Sequence, residues 1–213
     1  MAALAAVCAV ATACAAPGII RSDSLQDRMT TTQYRMVDAS RSWVYVPGGL
    51  LTLQRDLGST QEQRIALANQ STLKGDNFVL LRSRTSGGLT GGRFNLEGFV
   101  SDIGGVPYPF TQLTNRNMKT GSDAMGTYFW IDQQVGPQTV CVLAVRSLGK
   151  GAKPLPVKAD AVDVLLRNCA PGRAQDALAP ILAQNIGAAP GVGPGRSSVK
   201  LKNLSPFAAP TRN

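Results

Sequence analysis

The hydrophobic positions of this chain fall into four successive patterns. Residues 1–20 carry no charge, and only Thr12, Pro17 and Gly18 interrupt their apolar run. A charge-free apolar stretch ending among small residues has the pattern of an export segment rather than of a folded element. Residues 21–41 turn polar and predict a tether. From residue 42 to 185, short apolar runs are punctuated by Gly and Pro, which predicts a single domain. Residues 186–213 are rich in Gly and Pro and predict a disordered basic tail.

Within the domain the runs are mostly strand-like. Residues 42–46 and 50–55 flank Pro47-Gly48-Gly49, a hairpin signal. Residues 62–68 are ambiguous between strand and helix, and 77–82 predict a strand. The glycine-rich stretch 86–92 predicts a wide turn; no Gly-Lys-Ser/Thr follows it, so it is no phosphate-binding loop. Residues 93–100 predict a further strand broken at Gly98, and 104–126 a long loop. Residues 127–135 and 139–148, joined by Gly136-Pro137, predict two strong strands, the second apolar enough for a sheet centre. In 160–169 the spacing of Val162, Leu165, Leu166 and Cys169 matches a helical face, with Asp160 as its cap and Pro171-Gly172 as its stop. A second short helix over 175–184 is limited by Pro180. Strands first and helices last predict an α+β fold: an antiparallel sheet with one or two C-terminal helices packed on one face.

Composition narrows the chemistry. The 213 residues are 44% hydrophobic and 16% charged, which suits one compact domain and disfavours a disordered or multi-pass membrane chain. Histidine is absent, so Ser-His-Asp and Cys-His nucleophile systems and His-ligated zinc are excluded. The formal charge is +9, but the tail contributes Arg196, Lys200, Lys202 and Arg212 with no acid. The remainder is an ordinary excess without a basic helix, and no nucleic-acid partner is expected. The tail itself reads either as a solvated end or as an arm for an anionic surface such as lipid head groups.

The four cysteines fall into two pairs. Cys8 and Cys14 lie in the export segment, and Val10-Ala11-Thr12-Ala13-Cys14 has the small residues of a lipoprotein signal, in which Cys14 carries the acyl chains. A plain cleaved signal and an uncleaved anchor are the alternatives. Ala15, where an aspartate would mark inner-membrane retention, leans towards the outer membrane. Cys141 and Cys169 are expected to form a disulfide in an oxidising compartment, the alternatives being two buried thiols or a catalytic cysteine without a histidine to activate it.

Candidate chemistry beyond this is sparse. Glu97, Asp102 and Asp132 are the carboxylates that a hydrolase could use, though surface or capping roles fit them as well. Tyr128 and Trp130 share a strand face by period two and could stack on sugar rings, or pack in the core. No cofactor, metal or catalytic residue is indicated.

Several stretches together resemble the cellulose biosynthesis protein BcsN family. They are Leu53-Gln54-Arg55, Gln61-Glu62-Gln63-Arg64-Ile65-Ala66-Leu67, Gly75-Asp76-Asn77, Thr139-Val140-Cys141-Val142-Leu143-Ala144 and Val164-Leu165-Leu166-Arg167-Asn168-Cys169, within residues 43–180. The resemblance implies a non-enzymatic, exported and lipid-anchored accessory of bacterial cellulose production. On this resemblance the chain is expected to face the periplasm, with the cellulose synthase and export machinery, the membrane through its lipid anchor and the polymer itself as expected partners. A carbohydrate-binding module using Tyr128 and Trp130, and a carboxylate hydrolase of an envelope polysaccharide, are the alternatives.

Overall fold

The computed structural model of the chain describes residues 24–85, 96–114, 116–149 and 159–188. The expected export segment with Cys14, the glycine-rich stretch 86–92 and tail residues 189–213 lie outside the described residues. The fold is α+β, dominated by an antiparallel sheet of eight strands. In chain order, α1 (Leu25–Thr31) precedes β1 (Arg35–Val37), β2 (Val44–Tyr45), β3 (Gly49–Asp56), β4 (Gln61–Leu67) and β5 (Asn77–Arg84). Then come α2 (Leu96–Asp102), β6 (Lys119–Asp123), β7 (Gly126–Val135), β8 (Thr139–Gly149), β9 (Ala161–Pro171), α3 (Ala174–Leu178) and β10 (Gly187–Ala188). The large sheet runs β1-β3-β4-β5-β9-β8-β7-β6, and β2 pairs with β10 in a separate two-stranded ribbon.

Residues 160–169 form a strand, not the expected helix. β9 sits between β5 and β8, and layers of side chains cover both of its faces. Val162, Val164 and Leu166 point into one core, and Leu165 and Cys169 into the other. A strand buried on both faces loses the apolar–polar alternation that marks strands, and its near-continuous apolar run mimics a helical stripe. Each fully buried Val or Leu contributes roughly 1.5–3 kcal/mol, so burial on two faces outweighs any local helical preference. Cys141 and Cys169 are register partners on β8 and β9 and form a disulfide, so the bridge runs strand to strand rather than helix to sheet.

One core gathers Trp43, Val44 and Val46, with α3 and Ile181–Ile186, against Val142, Val164 and Leu166. The other brings α2, Phe110 and Leu113 onto Phe78, Leu80, Leu143 and Leu165. The C-terminal helix α3 packs on β8 and β9, and Pro180 hands it to a 3-10 turn over Ala179–Ile181, which shortens the helix expected over 175–184.

Other expectations need correction. Pro47-Gly48-Gly49 turns the chain, with Gly48 at φ +75°, but β2 leaves to pair with β10, so no hairpin forms with β3. Residues 96–102 make a helix instead of a strand, and β6 occupies part of the expected loop. The polar stretch 21–41 contains α1, started by a Ser24–Asp27 capping box and anchored by buried Met29, followed by β1 on the sheet edge. Residues 187 and 188 of the expected tail are β10.

Candidate functional site

A row of charged side chains crosses the face of the sheet that carries α2. In register, Arg55 of β3 opposes Glu62 of β4, Glu62 opposes Arg82 of β5, and Arg82 opposes Asp163 of β9. Directly paired positions bring side chains within reach, so charges of alternating sign line up across four strands, with Arg55 and Arg82 both ion-paired to Glu62. Glu62, with no solvent exposure, is the centre of this ladder. Arg55 donates from Nε to Glu62 Oε2 at 2.7 Å and Arg82 from Nε to Oε1 at 2.7 Å, while the Tyr34 hydroxyl donates to Oε2 at 2.9 Å. Arg82 continues to Asp102 Oδ2 at 2.7 Å, and Arg55 to the Met29 carbonyl at 2.7 Å. Asp163 accepts from Arg84 at 3.0 Å.

Aromatic rings flank these guanidinium groups. Arg55 lies over Tyr34 at 4.4 Å from the ring centre, and Arg82 over Phe99 at 4.5 Å. Burial, then the negative charge of Glu62, push the Tyr34 phenol well above the ordinary tyrosine range. Both Glu62 oxygens are engaged, by Arg55 and Arg82 and by the Tyr34 hydroxyl, so the carboxylate's acceptor positions are taken up within the ladder.

Beside the ladder opens a groove of about 580 Å³, walled by α1 and by residues 102–108. Arg64, Phe78 and Arg167 belong to its lining. The Arg64 guanidinium carbon lies over the Phe78 ring, 4.0 Å from its centre, and its paired carboxylate, Asp76, is 3.6 Å away and 85% exposed. Such a long, solvated pair is weak, so Arg64 keeps donors for a ligand. Arg167 is enclosed and bonded to the carbonyls of Lys74, Gly75 and Tyr108 and to Asn77 Oδ1. Burial lowers its pKa. It pins the two loops that form the groove's end.

The structure separates the carboxylates suggested by the sequence. Asp102 joins the ladder through Arg82, and Glu97 is exposed in the first turn of α2. Asp132 pairs with Lys119 at 2.6 Å on β7, towards the far edge of the sheet. Tyr128 and Trp130 do share a face, with ring centres 5.4 Å apart, but Tyr128 is buried in the core and Trp130 is half-buried against it. The Tyr128 ring lies across Gly121, where a Cβ would stand 2.5 Å from ring carbon. That packing leaves no open stacking platform for a sugar on Tyr128. Near it, Arg146 grips Asp123 through two bonds of 2.9 and 2.7 Å. This pairing holds the Asp123 carboxyl down at about 2. Among the described residues no group of three His, Cys, Asp or Glu side chains is placed to hold a metal, and no helix is long and apolar enough to cross a membrane.

Sequence reading missed Glu62, Arg55, Arg82 and Tyr34. The available signal was the polar start of β4, Gln61-Glu62-Gln63-Arg64, inside an otherwise strand-like run. No family model, curated protein or solved structure matches the chain.

Proposed function

We propose that the chain is an exported, lipid-anchored accessory protein of bacterial cellulose biosynthesis. It binds rather than transforms, and it uses the groove over Arg64 and Phe78 to hold the polymer. The resemblance to the BcsN family supplies the process, and the Cys141–Cys169 disulfide suits a chain that matures in an oxidising compartment. The observation that carries the binding role is the division of labour among the charges. Glu62 and Asp102, the acids of the ladder beside the groove, are paired with Arg55 and Arg82. Arg64, by contrast, is oriented on an aromatic ring with little competing for its donors. Guanidinium donors beside apolar surface can bond sugar hydroxyls while ring faces rest on Phe78 and its neighbours.

Incubating purified protein with cellulose tests this directly. Wild type should be retained on the polymer and release no reducing ends, and Arg64→Ala should lose most of the retention. Reducing-end release would replace the binding role with a hydrolase, and equal retention of Arg64→Ala would remove the groove from the interaction. Labelling cells with a fatty-acid analogue tests the anchor: wild type should take up label and Cys14→Ser should not.

A further inference from the structure

Among the described residues, four of the six exposed large apolar side chains lie in one place, Tyr108 and Phe129 being elsewhere. Met36, Tyr45, Leu50 and Leu51 are 76%, 52%, 67% and 40% exposed, and all four line a single groove of about 460 Å³ at the β1 edge of the sheet. Buried Val44, Val46 and Ile65 complete its base. A contiguous apolar surface of this kind marks an interaction site rather than ordinary surface composition.

We infer that this edge is a membrane-docking face, on which Met36, Tyr45, Leu50 and Leu51 enter the head-group region of an anionic bilayer. The lipid surface is taken from the anchored reading above, and the rest of the argument from the edge itself. Three features favour lipid over another strand or a second copy.

First, the edge is a poor template for strand addition. β1 covers only Thr52, Leu53 and Gln54 of β3, and the β3–β4 ladder shifts register between Gly49 and Leu51, beneath the exposed leucines. Such an irregularity twists an edge away from regular pairing. Second, the charge around the face is complementary to anionic head groups. Arg35 and Arg41 are exposed in the segment that bears Met36, and together they outnumber Asp38, the exposed acid of the lining.

Third, the C-terminal end of the described chain leads here. Gly187 of β10 is the register partner of Tyr45, so residues 189–213 start beside the groove, with four bases and no acid in their sequence. Insertion of apolar side chains and attraction of nearby bases are the two contributions that hold interfacial proteins on lipid, and one acyl chain alone holds only marginally.

The test places an environment-sensitive fluorophore on Leu50→Cys in the full chain carrying Cys8→Ser and Cys14→Ser, with Phe129→Cys as the control on another exposed site. A local label is needed because residues 1–20 are themselves apolar. On phosphatidylglycerol–phosphatidylethanolamine vesicles the label at 50 should shift to the blue and be quenched by brominated lipid, while the label at 129 keeps its aqueous emission. Met36→Asp with Leu50→Asp should lower vesicle retention several-fold, and added salt should weaken retention of the wild-type face. Aqueous emission from position 50 on vesicle-bound protein would overturn the inference. So would a blue shift that needs no lipid and grows with protein concentration, which would assign the groove to a second copy. Because this chain lacks Cys14, either result is independent of the fatty-acid labelling that decides the anchor.

Discussion

Cys141 and Cys169 stand directly opposite one another on two neighbouring buried strands, and their disulfide closes a loop with a sequence separation of 28. The strands are already joined by a full ladder, so the bond's main effect is to restrict the unfolded chain. On the chain-entropy account a loop of this length contributes about 3–4 kcal/mol. Reduction, or the double change Cys141→Ser with Cys169→Ser, should therefore lower the urea midpoint by that equivalent and steepen the transition as the unfolded state expands. An unmoved midpoint on reduction would mean that the native protein carries free thiols.

The same pair shows which parts of the fold could be read from the sequence. Cysteine pairing depends on compartment and on both residues being buried, and neither requirement distinguishes strand from helix. The element carrying Cys169 was harder to assign, because Val164 and Leu165 are buried on opposite faces of β9 and erase the alternation. β8 has the same burial, yet its run of Val140, Val142 and Val145 is rich enough in β-branched residues to signal a strand. The short elements α1, β1 and β6 depend on a cap or on a neighbouring strand, and composition alone made their segments look like tether or loop.

Glu62 is the residue on which the charged ladder depends. Glu62→Gln leaves Arg55 and Arg82 enclosed without their shared counter-charge, a loss of about 3–5 kcal/mol for a buried pair with one partner removed. Asp132→Asn, which breaks a pair whose lysine is 60% exposed, should cost about 1 kcal/mol or less. Urea denaturation of the two variants side by side measures the contrast. Equal costs would show that the ladder is hydrated in solution.

Tyr34 should reveal the ladder spectroscopically. Its phenol is pushed up by burial and by Glu62, so folding favours the neutral form. Stability is then fully present below the ordinary tyrosine value of 10.0 and falls as pH rises beyond it, because the unfolded chain loses this proton first. In an alkaline absorbance titration, one of the four tyrosines should stay un-ionised until the protein unfolds. Tyr34→Phe should delete that late step. A smooth titration of all four phenols in folded protein would contradict the bond to Glu62.

The site was less legible than the fold for a reason that also explains the ladder. Arg55 and Glu62 are seven residues apart, but Arg82 and Asp163 lie much further along the chain, and only strand order and register align all four. Asp102 stood out for its place beside an apolar stretch, but its partner could not be named before β5 and α2 were in position. Tyr128 and Trp130 were placed on one face correctly by period two, whereas which face was covered depended on Gly121 and the distant C-terminal segment.

Asp123 and Arg146 make the second buried ion pair, and acid should release it. Arg146 is fully enclosed and also bonds the Ile181 carbonyl at 2.8 Å, while Asp123 accepts from the Ala183 N–H at 2.9 Å. Together the two side chains tie β6 and β8 to the segment after α3. With the folded carboxyl at about 2 against an ordinary 3.8, the pair's contribution is complete above pH 4 and is lost as pH falls towards 2. The size expected from that shift is about 2 kcal/mol. Asp123→Asn should flatten this acid limb, and should speed amide exchange over residues 181–186 at neutral pH more than over β8. If the variant keeps the wild-type acid profile, the carboxylate titrates normally and Arg146 is held by carbonyl groups alone.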